Sequence, residues 1–437
     1  MKQRLIILLG GLVVALMVAL LPEVSQGVPS FSRQIQKPCT ACHTVWPTLN
    51  QYGRQFKVKA YTDISPEWKM EKKDGLNLPY ILPLSVRVTS FLYTQEDNNQ
   101  GGVHQDSTRI PDQIDLFLAS RVFDYMGVFT HGAFSPGTNA AWTLPVLKMA
   151  FQYPLPLGEG NTIGLVAFKG STSSADPFNS LGGRDRLLTW GDETVPWALR
   201  KGWTFNFFDE GNVGVVAHGY FLGNRLYAAV GGNRGGRSED VSGGTLLNAP
   251  AGADVAETNP IGGYFRLAWD QKLPNGAVTF GAAYQTGRQR IIESTAPLGV
   301  PFQANVQRGY LDASLEQNFA EDHLVEAQAL FGLGSENNVF GGGEERKFQG
   351  LHLAANYFYQ RKYGIAVAYN LINTTGVSAT DITGNVDSIN AWVVGVNYLP
   401  WANTKLAVQY AQTLTKFVGG DPDQTDNIVR VVVDLLF

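Results

Sequence analysis

The chain has 437 residues, a formal net charge of −4, 44% hydrophobic residues and 16% charged residues. That balance excludes a disordered chain. The acidic net charge and the lack of a basic patch exclude a nucleic-acid binder. Two cysteines exclude a disulfide-stapled scaffold. The 48 glycines and 50 aromatics (24 Phe, 17 Tyr, 9 Trp) instead point to a large all-β protein. Only one apolar run approaches the ~20 residues of a membrane helix.

That run is N-terminal. Lys2 and Arg4 precede an apolar stretch from Leu5 to Leu21, Pro22 breaks it, and Ser25-Gln26-Gly27 supplies small residues. The pattern predicts a secretory signal peptide over 1–27. An uncleaved anchor is the alternative, although the run is short for a span. Either way the remainder is exported.

Cys39-Thr40-Ala41-Cys42-His43 is a CxxCH motif holding both cysteines. Its spacing lets two thiolates add to the two vinyl groups of one haem while the next histidine reaches the iron. A redox CxxC would sit in a thioredoxin-like βαβ pattern, which is absent. A structural zinc site needs four ligands, commonly with a second close pair. The other histidines, His104, His131, His218, His323 and His352, are scattered. The expectation is one covalent haem c.

The surrounding segment, 28–79, is interrupted by Pro47, Gly53 and Ser65-Pro66. Gln51–Tyr61 predicts a short helix, with Tyr52, Phe56 and Tyr61 covering a haem face. So short a segment has no self-sufficient core. Either the haem staples it, or it docks against or inside the downstream chain.

From Tyr80 to Phe437 the dominant period is two. Val429, Val431, Val433, Leu435 and Phe437 share one face, with Arg430 and Asp434 on the other. Phe265, Leu267 and Trp269 oppose Tyr264, Arg266, Ala268 and Asp270; Val278–Tyr284, Leu351–Tyr359 and Leu406–Tyr410 repeat the alternation. An apolar face outside and a small or polar face inside is the membrane-barrel pattern, and a soluble all-β fold is the alternative. The connections favour the barrel. Short ones fall at Asp124–Met126, Pro154–Asn161, Leu222–Arg225, Gln271–Gly276, Ala320–Asp322, Arg361–Lys362 and Leu399–Asn403. Long ones alternate with them, around 95–111, 135–145, 170–211, 234–259, 288–306, 335–346, 373–386 and 416–424. Tight periplasmic turns and long outer loops have this rhythm. The parity places Lys201–Phe208 within the third outer loop. The predicted fold is an all-β, 16-stranded antiparallel outer-membrane barrel over 80–437, preceded by a short helical cytochrome c segment, with both termini periplasmic. Trp269, Tyr357, Tyr359, Tyr398 and Trp401 suit interfacial girdles.

Residues 29–61 carry a linear pattern: Pro29, Phe31, Arg33-Gln34, Cys39–His43, Pro47, Leu49, Gly53-Arg54, Phe56-Lys57 and, extending to 62, Tyr61-Thr62. It resembles the outer-membrane monohaem cytochrome–porin fusions, a family that includes Fe(II) oxidases; the barrel matches by architecture only. Ala60 departs from the glycine expected before the tyrosine. The resemblance implies thioether attachment at Cys39 and Cys42, with His43 as proximal ligand. It also implies an iron:cytochrome c type oxidoreductase that oxidises extracellular Fe(II) and passes electrons to a periplasmic carrier such as a soluble cytochrome. Met70, the one methionine of the segment, is a candidate distal ligand that would raise the potential. An ordinary residue in the charged run Lys69–Lys73, with five-coordinate or water-ligated iron, is the alternative. Met149 falls on a lipid-facing position, and Met126 in a periplasmic turn. Acidic outer-loop residues such as Glu96-Asp97, Asp106 and Asp192-Glu193 either gather cations or only solvate the loops. Two other functions stay open: an electron conduit for another donor or acceptor, and a diffusion porin with a haem-bearing plug. No nucleophile–base constellation points to a hydrolase.

Overall fold

The computed structural model describes residues 29–44, 48–74, 76–97, 103–134, 142–155, 160–169, 176–178, 213–234, 261–292, 301–337, 345–375, 386–401, 403–417 and 423–437. The predicted signal peptide and the stretch Lys201–Phe208 lie outside the described residues. Two helices, α1 (Pro29–Ile35) and α2 (Gln51–Val58), flank a 3-10 turn at Cys39–Ala41. A small antiparallel hairpin comes next, β1 (Met70–Lys73) and β2 (Leu76–Pro79).

The remaining strands are β3 (Leu84–Asp97), β4 (Val103–Phe123), β5 (Met126–Phe134), β6 (Trp142–Pro154), β7 (Thr162–Lys169), β8 (Val213–Phe221), β9 (Leu226–Arg234) and β10 (Ile261–Leu273). They continue as β11 (Gly276–Ile292), β12 (Pro301–Ala320), β13 (His323–Asn337), β14 (Glu345–Tyr359), β15 (Tyr363–Thr375), β16 (Val386–Trp401), β17 (Thr404–Phe417) and β18 (Gln424–Leu436). These 16 strands form one closed barrel in which every neighbour is antiparallel, and β18 pairs with β3 to close it. Closure leaves no strand edge to satisfy, the condition for a sheet in lipid. The C-terminal Phe437 is clipped to β3 by paired backbone bonds with Val86, 2.6 and 2.9 Å.

The faces obey the period-two pattern. Trp392, Val394 and Val396 of β16 are exposed, whereas Ala391, Val393 and Asn397 are buried. Phe265, Leu267 and Trp269 point outward, and Tyr264, Arg266, Ala268 and Asp270 point into the lumen. Inward charges pair across strands: Arg87 donates to both oxygens of Asp434 at 2.9 and 2.8 Å, and Arg266 pairs with Asp312. Tyr357, Tyr359 and Tyr363 are exposed at the short-turn end, and Tyr363 stacks on Tyr398 at 5.3 Å.

The short connections fall where their residues predict. The turn after β8 shows why: Leu222, Gly223 and Asn224 all adopt positive φ (54°, 68° and 62°), the region that Gly and Asn reach most readily. At the other end the strands run further than expected. Most of 95–111 is strand, because β3 extends to Asp97 and β4 begins at Val103; β11 and β12 likewise extend to Ile292 and back to Pro301. About 9–11 residues suffice to cross the bilayer. The 21-residue β4 therefore continues its ladder beyond the apolar band, where side-chain patterning no longer marks it. Expected outcome: Val394→Arg, on the lipid-facing side of β16, destabilises by about 2–4 kcal/mol, and Tyr363→Arg at the rim by about 1 kcal/mol or less. Denaturant unfolding in lipid vesicles reads the difference.

Candidate functional site

The segment that carries the CxxCH motif lies inside the barrel, at the end carrying the short turns. Helix α1 sits against β3 and β4: Ser30 N donates to Ser85 Oγ at 2.9 Å, Arg33 Nη2 to Leu84 O at 2.7 Å and Gln34 Nε2 to Ala119 O at 2.7 Å. Phe31, Phe56 and Tyr61 pack together, with ring centroids 5.0–5.7 Å apart, and Phe31 and Tyr61 reach Phe129 of β5 at 6.4 and 6.1 Å. The apolar core of this plug thus continues into the barrel wall, which answers how so short a segment gains a core.

The CxxCH residues lead into the cap of α2. Cys39–Ala41 forms the 3-10 turn, with His43 N bonded to Cys39 O at 2.9 Å. Asn50 ties the turn to α2: its N donates to Cys42 O at 2.9 Å, its Nδ2 to Ala41 O at 3.0 Å, and its Oδ1 caps Gly53 N at 3.0 Å. Gly53 allows the close approach, since a Cβ there would overlap the Cys42 carbonyl. The helix ends earlier than the predicted Tyr61, because Ala60 and Tyr61 both adopt left-handed φ, 54° and 58°. Ala60 thus occupies a conformation that favours glycine, the residue expected there.

Arg54 anchors the plug. It is buried; Nε and Nη2 donate to the two oxygens of Asp270, both at 2.9 Å, and Nη2 also reaches Glu316 Oε1 at 2.9 Å. Asp270 accepts from Tyr220 at 2.8 Å, and Glu316 from the Thr44 hydroxyl at 2.6 Å. Burial pulls the guanidinium pKa down, but the two carboxylates outweigh it, leaving the pKa above its ordinary value. Arg361, in the turn after β14, donates to Thr44 O at 3.0 Å. From the far side Asp176 and Phe178, on the connection between β7 and β8, are buried against the plug. Lys57 Nζ donates to Asp176 O at 2.5 Å, and the Phe178 ring lies 5.9 Å from the Arg54 guanidinium and 5.4 Å from that of Arg266.

The donor set fits a covalently held haem: two thiols three residues apart on one turn, no disulfide between them, and a histidine next in sequence. Cys39 is buried, and burial pushes the Cys42 thiol up to about 12. Tyr52 lies beside it; burial and Asp63, whose Oδ2 accepts from Tyr52 at 3.1 Å, raise that phenol as well. Met70 sits elsewhere, on β1, with its sulfur 3.8 Å from Arg121 Nη2 of β4. Met149 faces outward, as expected. Asp270, Glu316, Asp176 and Phe178 do not stand out in the sequence. Their only signal is inward parity (Asp270, Glu316) or placement in a long loop, and neither names a partner.

No protein-family model and no curated protein matches the chain. Among solved structures it is similar to Salmonella typhi OmpF, at 12% identity over 84% of this chain and 100% of that one, TM-score 0.51. It is also similar to the outer membrane channel DcaP of Acinetobacter baumannii, at 11% identity over 81% and 96%, TM-score 0.50. These likenesses concern the fold. The chain has the porin-type fold, a closed 16-stranded antiparallel β-barrel, and its exposed apolar outer face is that of an outer-membrane barrel.

Two outcomes are expected. Arg54→Ala leaves Asp270 and Glu316 buried without their cation and loosens the plug by about 3–5 kcal/mol. Trypsin then cuts at Lys57 and Lys59 faster while the barrel keeps its heat-resistant migration. In haem-free folded protein, alkylation of Cys42 is slow at neutral pH and climbs tenfold per pH unit toward about 12. Because the folded pKa lies above the unfolded value, the stability linked to this thiol falls as pH rises above about 9.

Proposed function

We propose that the protein is an outer-membrane oxidoreductase in which one haem c is held by Cys39 and Cys42, with His43 as proximal iron ligand. On this reading it takes electrons from extracellular Fe(II) and delivers them to a periplasmic carrier. The observation that carries the proposal is the placement of the CxxCH turn on a plug inside the lumen, at the periplasmic end. The resemblance of residues 29–61 to the cytochrome–porin fusions supports iron as the donor. Haem, when bound, supplies a one-electron couple.

The chain's own residues supply attachment, position and closure. Cys39 and Cys42 would hold the group on the turn, and the Asn50 bonds and the Gly53 contact fix that turn to α2. Arg54 fixes α2 to β10 and β12. Lys57 and Arg54 join the plug to Asp176 and Phe178 of the connection between β7 and β8; on this reading the donor would meet the outer face of the protein and the carrier its periplasmic face.

The porin-type fold keeps a second function in view, a diffusion porin with a haem-bearing plug. Export into a cytochrome-maturing host, followed by haem staining and anaerobic Fe(II) addition, decides between them. Expected are covalent haem in the intact chain, none in Cys39→Ala or Cys42→Ala, and reduction of the oxidised haem by Fe(II). A fully loaded haem that Fe(II) does not reduce removes iron as donor, and a strongly negative potential points to outward electron flow. Solute flux through reconstituted protein, unaffected by haem redox state, favours the porin.

A further inference from the structure

The stretch joining the plug to the barrel is left uncovered. Tyr80, Ile81 and Leu82 are 70, 58 and 64% exposed, and Leu76 is exposed as well. Consecutive large apolar residues in water mark an interaction surface.

Their position indicates what covers them. Hairpin β1–β2 is fastened to the periplasmic rim by Lys72 Nζ, 3.1 Å from Asp124 in the turn after β4, and Tyr80 N closes back on Lys69 O at 3.3 Å. The β3–β4 pairing runs one step below Leu84, where Ala119 N donates to Pro83 O at 3.1 Å. Pro83 is buried, so Leu82 continues the outward row of Leu84, whose cross-strand partner is the exposed Leu118. Phe123, Tyr125 and Tyr153 are exposed on the same rim, with Tyr125 and Tyr153 6.0 Å apart. The apolar stretch is therefore continuous with the lipid-facing belt. Exposed Lys69, Lys72 and Lys73 alternate with exposed Glu71 and Asp74 beside it. That mixture complements a zwitterionic headgroup layer, with ammonium groups for phosphates and carboxylates for headgroup amines.

We propose that Leu76 and Tyr80–Leu82, with the charged residues of β1, form an anchor lying in the phospholipid headgroup layer of the periplasmic leaflet. Its apolar side chains enter the upper acyl region. The anchor pins the chain just after the plug, so the plug is held from both ends: by Arg54 within the lumen and by lipid at the rim. It does not depend on haem or on the identity of the electron donor.

A benzophenone photocrosslinker placed at Ile81 of the full-length protein tests this in vesicles of phosphatidylethanolamine and phosphatidylglycerol. Position Val394 serves as lipid-facing reference and Lys37 as exposed plug reference. Mass spectrometry after illumination is expected to find phospholipid adducts at Ile81 several-fold above Lys37 and approaching Val394. Adduct at Ile81 no higher than at Lys37, or crosslinks only to protein, overturns the proposal. A second variant carries Tyr80→Ser, Ile81→Ser and Leu82→Ser together. It is expected to keep the heat-resistant barrel and to speed tryptic cleavage at Lys72 and Lys73 several-fold in vesicles but not in detergent. Equal cleavage of variant and parent in vesicles counts against the anchor.

Discussion

The seated state of the plug depends on the meeting of Arg54 with Asp270 and Glu316. A lone guanidinium inside a barrel is costly to bury, and so are two inward carboxylates on nearby strands. Each cancels the other's cost only when α2 is docked. The pairing therefore selects one position for the plug among the many that apolar packing alone would tolerate. Phe31, Phe56 and Tyr61 add attraction with little direction; Arg54 supplies direction, because a planar fork bidentate to one carboxylate fits one orientation.

That docking changes what the barrel can do. A porin-type barrel closes its backbone hydrogen bonds internally and leaves a lumen. Here the lumen receives the plug from one end and Asp176 and Phe178 from the other, and the two meet at Lys57 and Arg54. The ring of Phe178 lies between two guanidinium groups, a placement that binds the outer connection to plug and wall at once.

The barrel was legible in the sequence because its two constraints are local. Lipid demands apolar residues at every second position, as in Val429–Phe437, and tight turns demand residues such as Gly223 and Asn224 that accept positive φ. The upper ends of β3, β4, β11 and β12 were not legible, since ladder pairing continues there without an apolar face to announce it. The CxxCH motif was legible because its chemistry fixes its spacing. The lock around it was not: Arg54 pairs with residues 216 and 262 positions away, and sequence separation of that size carries no pattern. Sequence left open whether a haem staples the segment or the barrel receives it, and the contacts show it docked in the barrel.

The burial of the two thiols has a consequence for the order of assembly on the proposed function. A thioether forms from an accessible thiolate. With the plug seated, Cys39 is buried, and burial pushes the Cys42 thiol up to about 12. On that function haem would be attached before α2 docks on β10 and β12, while both cysteines are accessible. Docking holds Thr44, the residue after the motif, on Glu316 and Arg361, and the contacts that seat the plug would then cover the linkage. On that reading the short segment would take its two partners in sequence: the cofactor first, to occupy its cysteines, and the barrel second, to supply the core it lacks.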